Sequence, residues 1–129
     1  IERDIVVVGA GSAGAALAGT LAERGWSVAL VEERSIDRAG ARWVNGVPPW
    51  MLREATIEPS SGVELRGRAM AFHVVAPDDR ARVELERAPI DQVDMRMLVA
   101  RVVNRARQAG VLVMDRCTLS DVELNEHGR

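Results

Sequence analysis

The sequence predicts an α/β fold, in which a βαβ unit built on a parallel sheet is followed by a small antiparallel β-meander. The first observation is an apolar run of strand length that leads into Gly9-x-Gly11-x-x-Gly14. The second is a helix-like segment of small and apolar residues, after which another apolar run ends on Glu32. The third is a series of short runs between residues 63 and 86, which is typical of antiparallel strands.

The first three elements follow directly from the apolar pattern. It predicts a strand over residues 4–8, a helix over residues 12–24 and a strand over residues 27–32. The helix is rich in alanine, which suits close packing, and Gly25 is a typical helix-ending residue. These elements have the order of a parallel βαβ unit.

Residues 33–61 have no clear periodicity and are predicted to form a long irregular connection with a short helix over residues 50–55. Glycines and prolines interrupt this stretch, which also contains Trp43 and Trp50. Long irregular loops inside compact domains tend to be functional. We therefore expect this connection to contribute to a binding site.

The remaining strands are short, and turn-forming residues separate them. The predicted strands cover residues 63–68, 69–76, 81–86, 111–114 and 118–124. Pro77, Asp78 and Asp79 supply the turn within the meander. The last five residues, 125–129, are predicted to form the turn of an unfinished hairpin.

A long amphipathic helix is predicted between the meander and the last two strands. Asp91 is the predicted N-cap, Asp94 favours the first turn, and Gly110 ends the helix. The apolar stripe of this helix consists of Met95, Leu98, Val99, Val102, Val103 and Ala106. Such a stripe predicts that one face of the helix is buried.

The glycine motif and the acidic residue after the second strand together predict a dinucleotide site. Gly9 permits a tight turn, Gly11 leaves no Cβ between backbone and pyrophosphate, and Gly14 lets the helix lie close to the strands. The N–H groups at the helix start then face the phosphates. Glu32 lies eighteen residues after Gly14, close to the spacing of the carboxylate that accepts ribose hydroxyls.

Composition excludes several other kinds of chemistry. The 129-residue chain has a net charge of −2, which gives no reason to expect nucleic acid as a partner, and no apolar run is long enough to span a membrane. All 17 basic residues are arginines and tyrosine is absent, which excludes a lysine Schiff base, a P-loop and a Tyr/Lys catalytic pair. The single cysteine, Cys117, fits a reducing compartment, so a cytoplasmic protein is expected. Neither histidine has metal-ligand spacing, so no metal site is expected.

The glycine motif with its acidic residue is by itself compatible with both NAD and FAD. Glu32 argues against NADP, because a carboxylate at that position would repel the 2′-phosphate. The irregular loop and the meander that follow the second strand favour FAD, because a nicotinamide-binding domain should continue directly with further βα units. An NAD-dependent dehydrogenase domain and a non-enzymatic dinucleotide-binding module stay open as alternatives.

The sequence resembles the flavoproteins with two dinucleotide-binding domains, and above all their geranylgeranyl reductase, flavin halogenase and aromatic hydroxylase branch. The resemblance rests on Val6-Val-Val-Gly9-Ala-Gly11-Ser-Ala-Gly14 and on Val28-Ala-Leu-Val-Glu32. The segment from Val93 to Gly110 and the strand region 112–122 are similar in order and spacing. This resemblance implies a Rossmann-like FAD-binding unit.

The resemblance also implies particular cofactor contacts. Gly9, Gly11, Ala13 and Gly14 would hold the pyrophosphate, with Ser12 at the helix start; Glu32 would bind the adenosine ribose, with Glu33 and Arg34 at its edge. Arg96 matches a FAD-contacting arginine, and Leu119 falls where the backbone meets adenine. The stretch Trp43-Val44-Asn45-Gly46 matches a turn beside the flavin, in which Trp43 replaces the family's cysteine.

The sequence departs from the family in lacking later parts. The Gly-Asp motif that holds the ribityl chain and the substrate-binding sheet are absent, as are the halogenase Trp-x-Trp signature and its lysine. Residues 1–129 are therefore expected to be the N-terminal, FAD-binding portion of a flavoprotein, a reductase or monooxygenase acting on a small organic or lipid-like substrate with NAD(P)H as transient reductant. No catalytic residue is identified.

The portion by itself is expected to be inactive and to bind FAD weakly. Truncation should expose apolar side chains around Trp43, Val47 and Trp50, which would favour association with another molecule.

Overall fold

The computed structural model describes residues 2–123, and these form two compact units. Unit 1 contains residues 2–40 and 99–123, and unit 2 is Ala41–Leu98. In chain order the elements are β1 (Ile5–Val8), α1 (Ser12–Glu23), β2 (Val28–Val31), β3 (Val44–Val47), α2 (Pro49–Glu54), β4 (Leu65–Ala69), β5 (Phe72–Val75), β6 (Arg82–Leu85), β7 (Ile90–Asp94), α3 (Met95–Gln108) and β8 (Leu112–Met114). Single 3-10 turns lie at Ile36–Arg38 and Gly62–Glu64.

Unit 1 contains a parallel three-stranded sheet with the order β1-β2-β8. Leu30 of β2 pairs with Val7 on one side and with Val113 on the other. All four residues of β2 are buried, as expected for a central strand of a parallel sheet. The predicted βαβ unit and its parallel sheet are confirmed.

Small residues let α1 approach its neighbours closely. Ala15, Ala18 and Gly19 are the buried residues of α1. A Cβ atom on Gly19 would lie 3.4 Å from the Cα of Ala106, so the backbones of α1 and α3 nearly touch there. An ion pair of 2.6 Å between Glu23 and Arg105 also joins these two helices.

Helix α3 buries the apolar stripe that the sequence predicts, but it begins later than predicted. Its N-cap is Asp94, whose Oδ1 accepts a hydrogen bond of 3.4 Å from the Met97 N–H. The predicted cap, Asp91, is wrong, because Asp91 lies in β7 and pairs with Val47 of β3. The end of the helix is confirmed, since Gly110 has the positive φ of +91° that suits glycine.

Unit 2 is antiparallel. Strand β7 lies between β3 and β4, and β5 pairs with β6 to form a separate hairpin. The turn of that hairpin contains Asp79, as predicted, with a φ of +56°. The antiparallel part of the predicted fold is therefore present, and the structure divides its strands between two sheets. The core of the three-stranded sheet includes Val93, which is fully buried.

Several other elements differ from the prediction by more than a residue at either end. Strand β3 lies inside the stretch predicted to be irregular. It forms by pairing with β7, which is distant in the sequence, so the local pattern does not indicate it. The predicted strand over residues 63–68 begins with the 3-10 turn Gly62–Glu64. The strand predicted over residues 69–76 is shorter, at Phe72–Val75. Residues 118–123 form no strand, and the predicted hairpin turn at 125–129 lies outside the described residues.

The short helix predicted over residues 50–55 is confirmed at Pro49–Glu54, with Pro49 at the first helical position. None of the helices within residues 2–123 has both the length and the apolar character needed to cross a bilayer.

Candidate functional site

The turn between β1 and α1 requires glycine at two of its three motif positions. Gly9 has a φ of +94°, and its N–H donates a hydrogen bond of 2.7 Å to the Val31 carbonyl at the end of β2. A Cβ atom on Gly14 would overlap the Gly9 carbonyl oxygen and would lie 3.5 Å from a Val7 methyl group. Both residues therefore fix the path of the chain from strand to helix.

Gly11 has a different environment. A Cβ atom there would have the Gly40 Cα, 3.7 Å away, as its nearest neighbour, which is an ordinary contact distance. The fold itself therefore does not require glycine at position 11. Gly40, in contrast, has a φ of +66°, and a Cβ on it would lie 3.0 Å from a Val99 methyl group and 3.1 Å from the Gly11 Cα.

The start of α1 carries unsatisfied backbone donors. Gly11 is the N-cap residue, so no side chain caps this helix, and its first turn contains no acidic residue. The N–H groups of Ser12, Ala13 and Gly14 have no carbonyl within the helix to bond, and the positive end of the helix dipole adds to their potential. Ser12 and Ala13 are solvent-exposed. Such a helix start can bind an anion.

Glu32 follows β2 directly and is held in place by backbone hydrogen bonds. Glu32 as a whole residue is only 6% exposed. Its Oε2 accepts a hydrogen bond of 2.8 Å from the Ala10 N–H, inside the glycine-rich turn, and its Oε1 accepts one of 3.1 Å from the Arg34 N–H. Each carboxylate oxygen keeps acceptor capacity for a ligand hydroxyl. The carboxylate therefore connects the turn to the loop after β2.

A cavity of about 440 Å³ opens beside this carboxylate in unit 1. Its lining residues are Val8, Gly9, Glu32, Glu33, Arg34, Gly40, Cys117, Thr118 and Leu119. A volume of this size is typical of small-molecule sites. The cavity thus brings together five of the predicted site residues.

Sequence reasoning missed four residues of this cavity: Val8, Gly40, Cys117 and Thr118. Gly40 has a signal in the sequence, because it is a glycine inside a long loop. Cys117 and Thr118 have none, because their place depends on the Cys117 N–H donating to the Glu32 carbonyl, 2.9 Å away.

Four of the predicted site residues lie in unit 2. Trp43 is 66% exposed and Arg96 is also exposed. Val44 and Gly46 belong to β3 and line a second cavity, of about 610 Å³, together with Asn45, Ala69, Phe72, Ile90 and Gln92. Trp43 and Arg96 are not among the lining residues of either cavity.

The expected exposure of the tryptophans is confirmed, since Trp50 is 54% exposed and Trp43 even more so. The expectation was wrong for Val47, which is 8% exposed. Val47 ends β3, where it pairs with Asp91 of β7.

The turn after β1 and the carboxylate after β2 have the arrangement found in α/β proteins that bind dinucleotides at the carboxyl ends of parallel strands. The family model of the FAD dependent oxidoreductases matches residues 4–73, which is more than half of the chain. The chain therefore belongs to the FAD-dependent oxidoreductase family. No curated protein matches its sequence.

Solved structures share the fold. A geranylgeranyl bacteriochlorophyll reductase-like protein from Thermoplasma acidophilum has a TM-score of 0.72 at 19% identity, over 88% of this chain and 30% of its own. The halogenase PltM, solved with phloroglucinol and FAD, has a TM-score of 0.71 at 16% identity, over 96% of this chain and 30% of its own.

The flavin-dependent halogenase CmlS has a TM-score of 0.69 at 18% identity, over 98% of this chain and 24% of its own. The chain thus spans less than a third of the length of each of these structures. The fold that they share with this chain is the one that the resemblance implies.

Proposed function

We propose that this chain is the dinucleotide-binding portion of an FAD-dependent oxidoreductase and that unit 1 binds the ADP half of FAD. The observation that carries the proposal is the 2.8 Å hydrogen bond from the Ala10 N–H to the buried Glu32 carboxylate. This bond holds an acceptor for ribose hydroxyls next to a helix start that can bind phosphate. A dinucleotide needs these two groups side by side.

The glycine-rich turn would bind the pyrophosphate. The first N–H groups of α1 are free to donate to phosphate oxygens, and no carboxylate in the first turn would repel them. Gly11 lacks a Cβ although the fold leaves room for one, which fits a position where a ligand approaches the backbone. The exposed Ser12 hydroxyl and the Ala13 N–H are the neighbouring donors.

The cavity beside Glu32 would bind the adenosine. Each Glu32 oxygen can accept a ribose hydroxyl in addition to its backbone donor. Glu33 and Arg34 lie at the rim, and Leu119 contributes an apolar surface and a backbone for the adenine. All four residues line this one cavity.

The flavin, when bound, supplies the hydride chemistry, and the protein contributes binding and orientation. We assign Trp43, Val44, Gly46 and Arg96 to flavin-side contacts, because they are accessible and match the family's flavin-contacting positions. For the full-length enzyme we propose a reductase or monooxygenase reaction on a small organic or lipid-like substrate. Both reactions leave oxidised flavin, so NAD(P)H is proposed as the transient reductant.

FAD titration of the purified chain tests the proposal. Isothermal titration calorimetry and equilibrium dialysis, read by flavin absorbance, should both detect FAD binding. Glu32→Gln should weaken the binding of FAD by about tenfold or more, since charge-assisted hydrogen bonds contribute about 1.5–3 kcal/mol. Glu2→Gln removes the same charge from an exposed site of the same unit and serves as the matched control.

Two results would contradict the proposal. One is a chain that takes up no FAD at millimolar concentration, and the other is a Glu32→Gln variant that is folded and binds FAD as well as the control does. Tight binding of NAD without uptake of FAD would replace it with the dehydrogenase alternative. The chain alone is also expected to show no NAD(P)H oxidation beyond that of free FAD.

A further inference from the structure

A second cavity of unit 1 is lined by basic side chains. It has a volume of about 480 Å³, and its lining residues are Arg34, Ser35, Asp37, Arg38 and Arg116. We call it the arginine cavity. Arg34 also lines the cavity beside Glu32, so the two cavities adjoin.

Two hydrogen bonds bring the two loops of the arginine cavity together. The Arg116 N–H donates to the Arg34 carbonyl at 3.1 Å, and the Ile36 N–H donates to Asp115 Oδ2 at 3.1 Å. Arg116 has a φ of +54°, which is uncommon for a residue other than glycine. The surrounding bonds hold it in this conformation, and such residues cluster at functional sites.

The lining residues include three arginines and one aspartate. The carboxylate of that aspartate, Asp37, accepts a hydrogen bond from the Ser35 hydroxyl. Two further carboxylates nearby are also engaged: Glu33 pairs with Arg34 at 3.4 Å, and Asp115 accepts the Ile36 N–H.

Arg38 and Arg116 form no ion pair with any residue from 2 to 123. Both are solvent-exposed. Their guanidinium forks therefore keep donors for a ligand.

We propose that the arginine cavity binds the dianionic phosphate group of a phosphate monoester, at a site separate from the helix start that is proposed to bind pyrophosphate. Arginine forks bind phosphate oxygens in pairs, and charge-assisted hydrogen bonds of this kind are strong. Two sources have this chemistry: a free phosphorylated metabolite and the 2′-phosphate of a nucleotide such as NADPH. The proposal does not depend on FAD binding.

Calorimetry with glucose 6-phosphate tests the site on the full chain, with glucose as the uncharged control. Arg38→Gln and Arg116→Gln should each weaken the binding of glucose 6-phosphate by about tenfold or more. Arg107→Gln, which removes an exposed charge elsewhere in unit 1, should change the affinity by less than about twofold. Arg116→Asn is the second variant at this position, because asparagine tolerates a positive φ.

The pH dependence gives an independent measurement. A phosphate monoester loses its second charge below about pH 6. Glucose 6-phosphate should therefore bind more weakly at pH 5 than at pH 7.5, whereas sulfate, which stays a dianion, should not.

A comparison of the affinities for NADPH and NADH identifies the source of the phosphate. A preference for NADPH of about tenfold or more that the two arginine variants abolish identifies the nucleotide 2′-phosphate. Binding of glucose 6-phosphate with no such preference identifies a free monoester. The proposal is overturned if neither glucose 6-phosphate nor NADPH binds saturably at millimolar concentration, or if Arg107→Gln weakens binding as much as the cavity variants do. FAD uptake, measured in parallel, shows separately whether the dinucleotide site works.

Discussion

Gly14→Ala is the sharpest test of the turn between β1 and α1. The added Cβ would overlap the Gly9 carbonyl oxygen and lie 3.2 Å from the carbonyl carbon. Both are backbone atoms, so no side chain can rotate away. Either the first turn of α1 or the β1 end must shift, and this shift would also disturb the 2.7 Å hydrogen bond from Gly9 to Val31.

The expected loss of stability in Gly14→Ala follows from two opposing effects. Overpacking of a well-packed site costs up to about 3 kcal/mol, and alanine favours the helix over glycine by up to about 1 kcal/mol. The net loss is then about 2 kcal/mol. For a chain of 129 residues, 1 kcal/mol corresponds to about 4 °C in Tm, so the Tm should fall by about 8 °C.

Gly11→Ala is the matched control for this experiment. Its Cβ would have only an ordinary contact with Gly40, at 3.7 Å, and alanine is a poorer N-cap than glycine by about 0.5 kcal/mol. Its Tm should fall by about 2 °C. Under the proposed function the turn binds the pyrophosphate, so a methyl group at this position would keep the phosphate away from the backbone and the FAD affinity should fall by about tenfold or more. Thermal unfolding without FAD and calorimetry with FAD measure both effects. Equal Tm losses in the two variants would refute the reasoning.

Three further changes have expected outcomes. Glu32→Ala should lower the unfolding free energy by about 2 kcal/mol or more in urea titrations without FAD, since it leaves buried backbone donors, among them the Ala10 N–H, without an acceptor. Unchanged stability would show that this hydrogen bond is not formed. Gly40→Ala should destabilise unit 1 because of its positive φ, and a Tm equal to that of the parent chain would argue against this loop conformation. The Arg66 hydrogen bond lowers the pKa of Asp94, so that this carboxylate contributes stability above its ordinary pKa and loses it as the pH falls through the lower folded value. Asp94→Asn, which retains a good cap, should therefore be less stable than the parent at pH 7, and this difference should shrink as the pH falls below the ordinary pKa of aspartate. A difference that stays constant over this change would contradict the assignment.

The sequence predicts the parts of the fold that local chemistry controls. Gly9, Gly14 and Glu32 lie where the motif spacing places them, because a tight strand-to-helix turn admits few alternatives. The end of α3 at Gly110 follows in the same way from a single residue that tolerates a positive φ.

The parts that depend on distant partners could not be predicted. Asp91 has the local chemistry of an N-cap, yet pairing with β3 and β4 places it in a strand. Val44–Val47 has a glycine in its middle and no alternating pattern, so its strand exists because β7 supplies the hydrogen bonds. The arginine cavity has no sequence signature either, since it joins loops about 80 residues apart.

The two hydrogen bonds that the backbone donates to the Glu32 carboxylate affect how the cofactor preference of this protein can be redesigned. A carboxylate that the backbone already orients needs no rearrangement when a nucleotide arrives, so little affinity is lost to ordering it. The same hydrogen bonds mean that a substitution intended to change nucleotide preference at this position also removes support from the glycine-rich turn. Redesign should therefore begin at the rim of the cavity, with Glu33 and Arg34, whose side chains are exposed and do not hold the fold together.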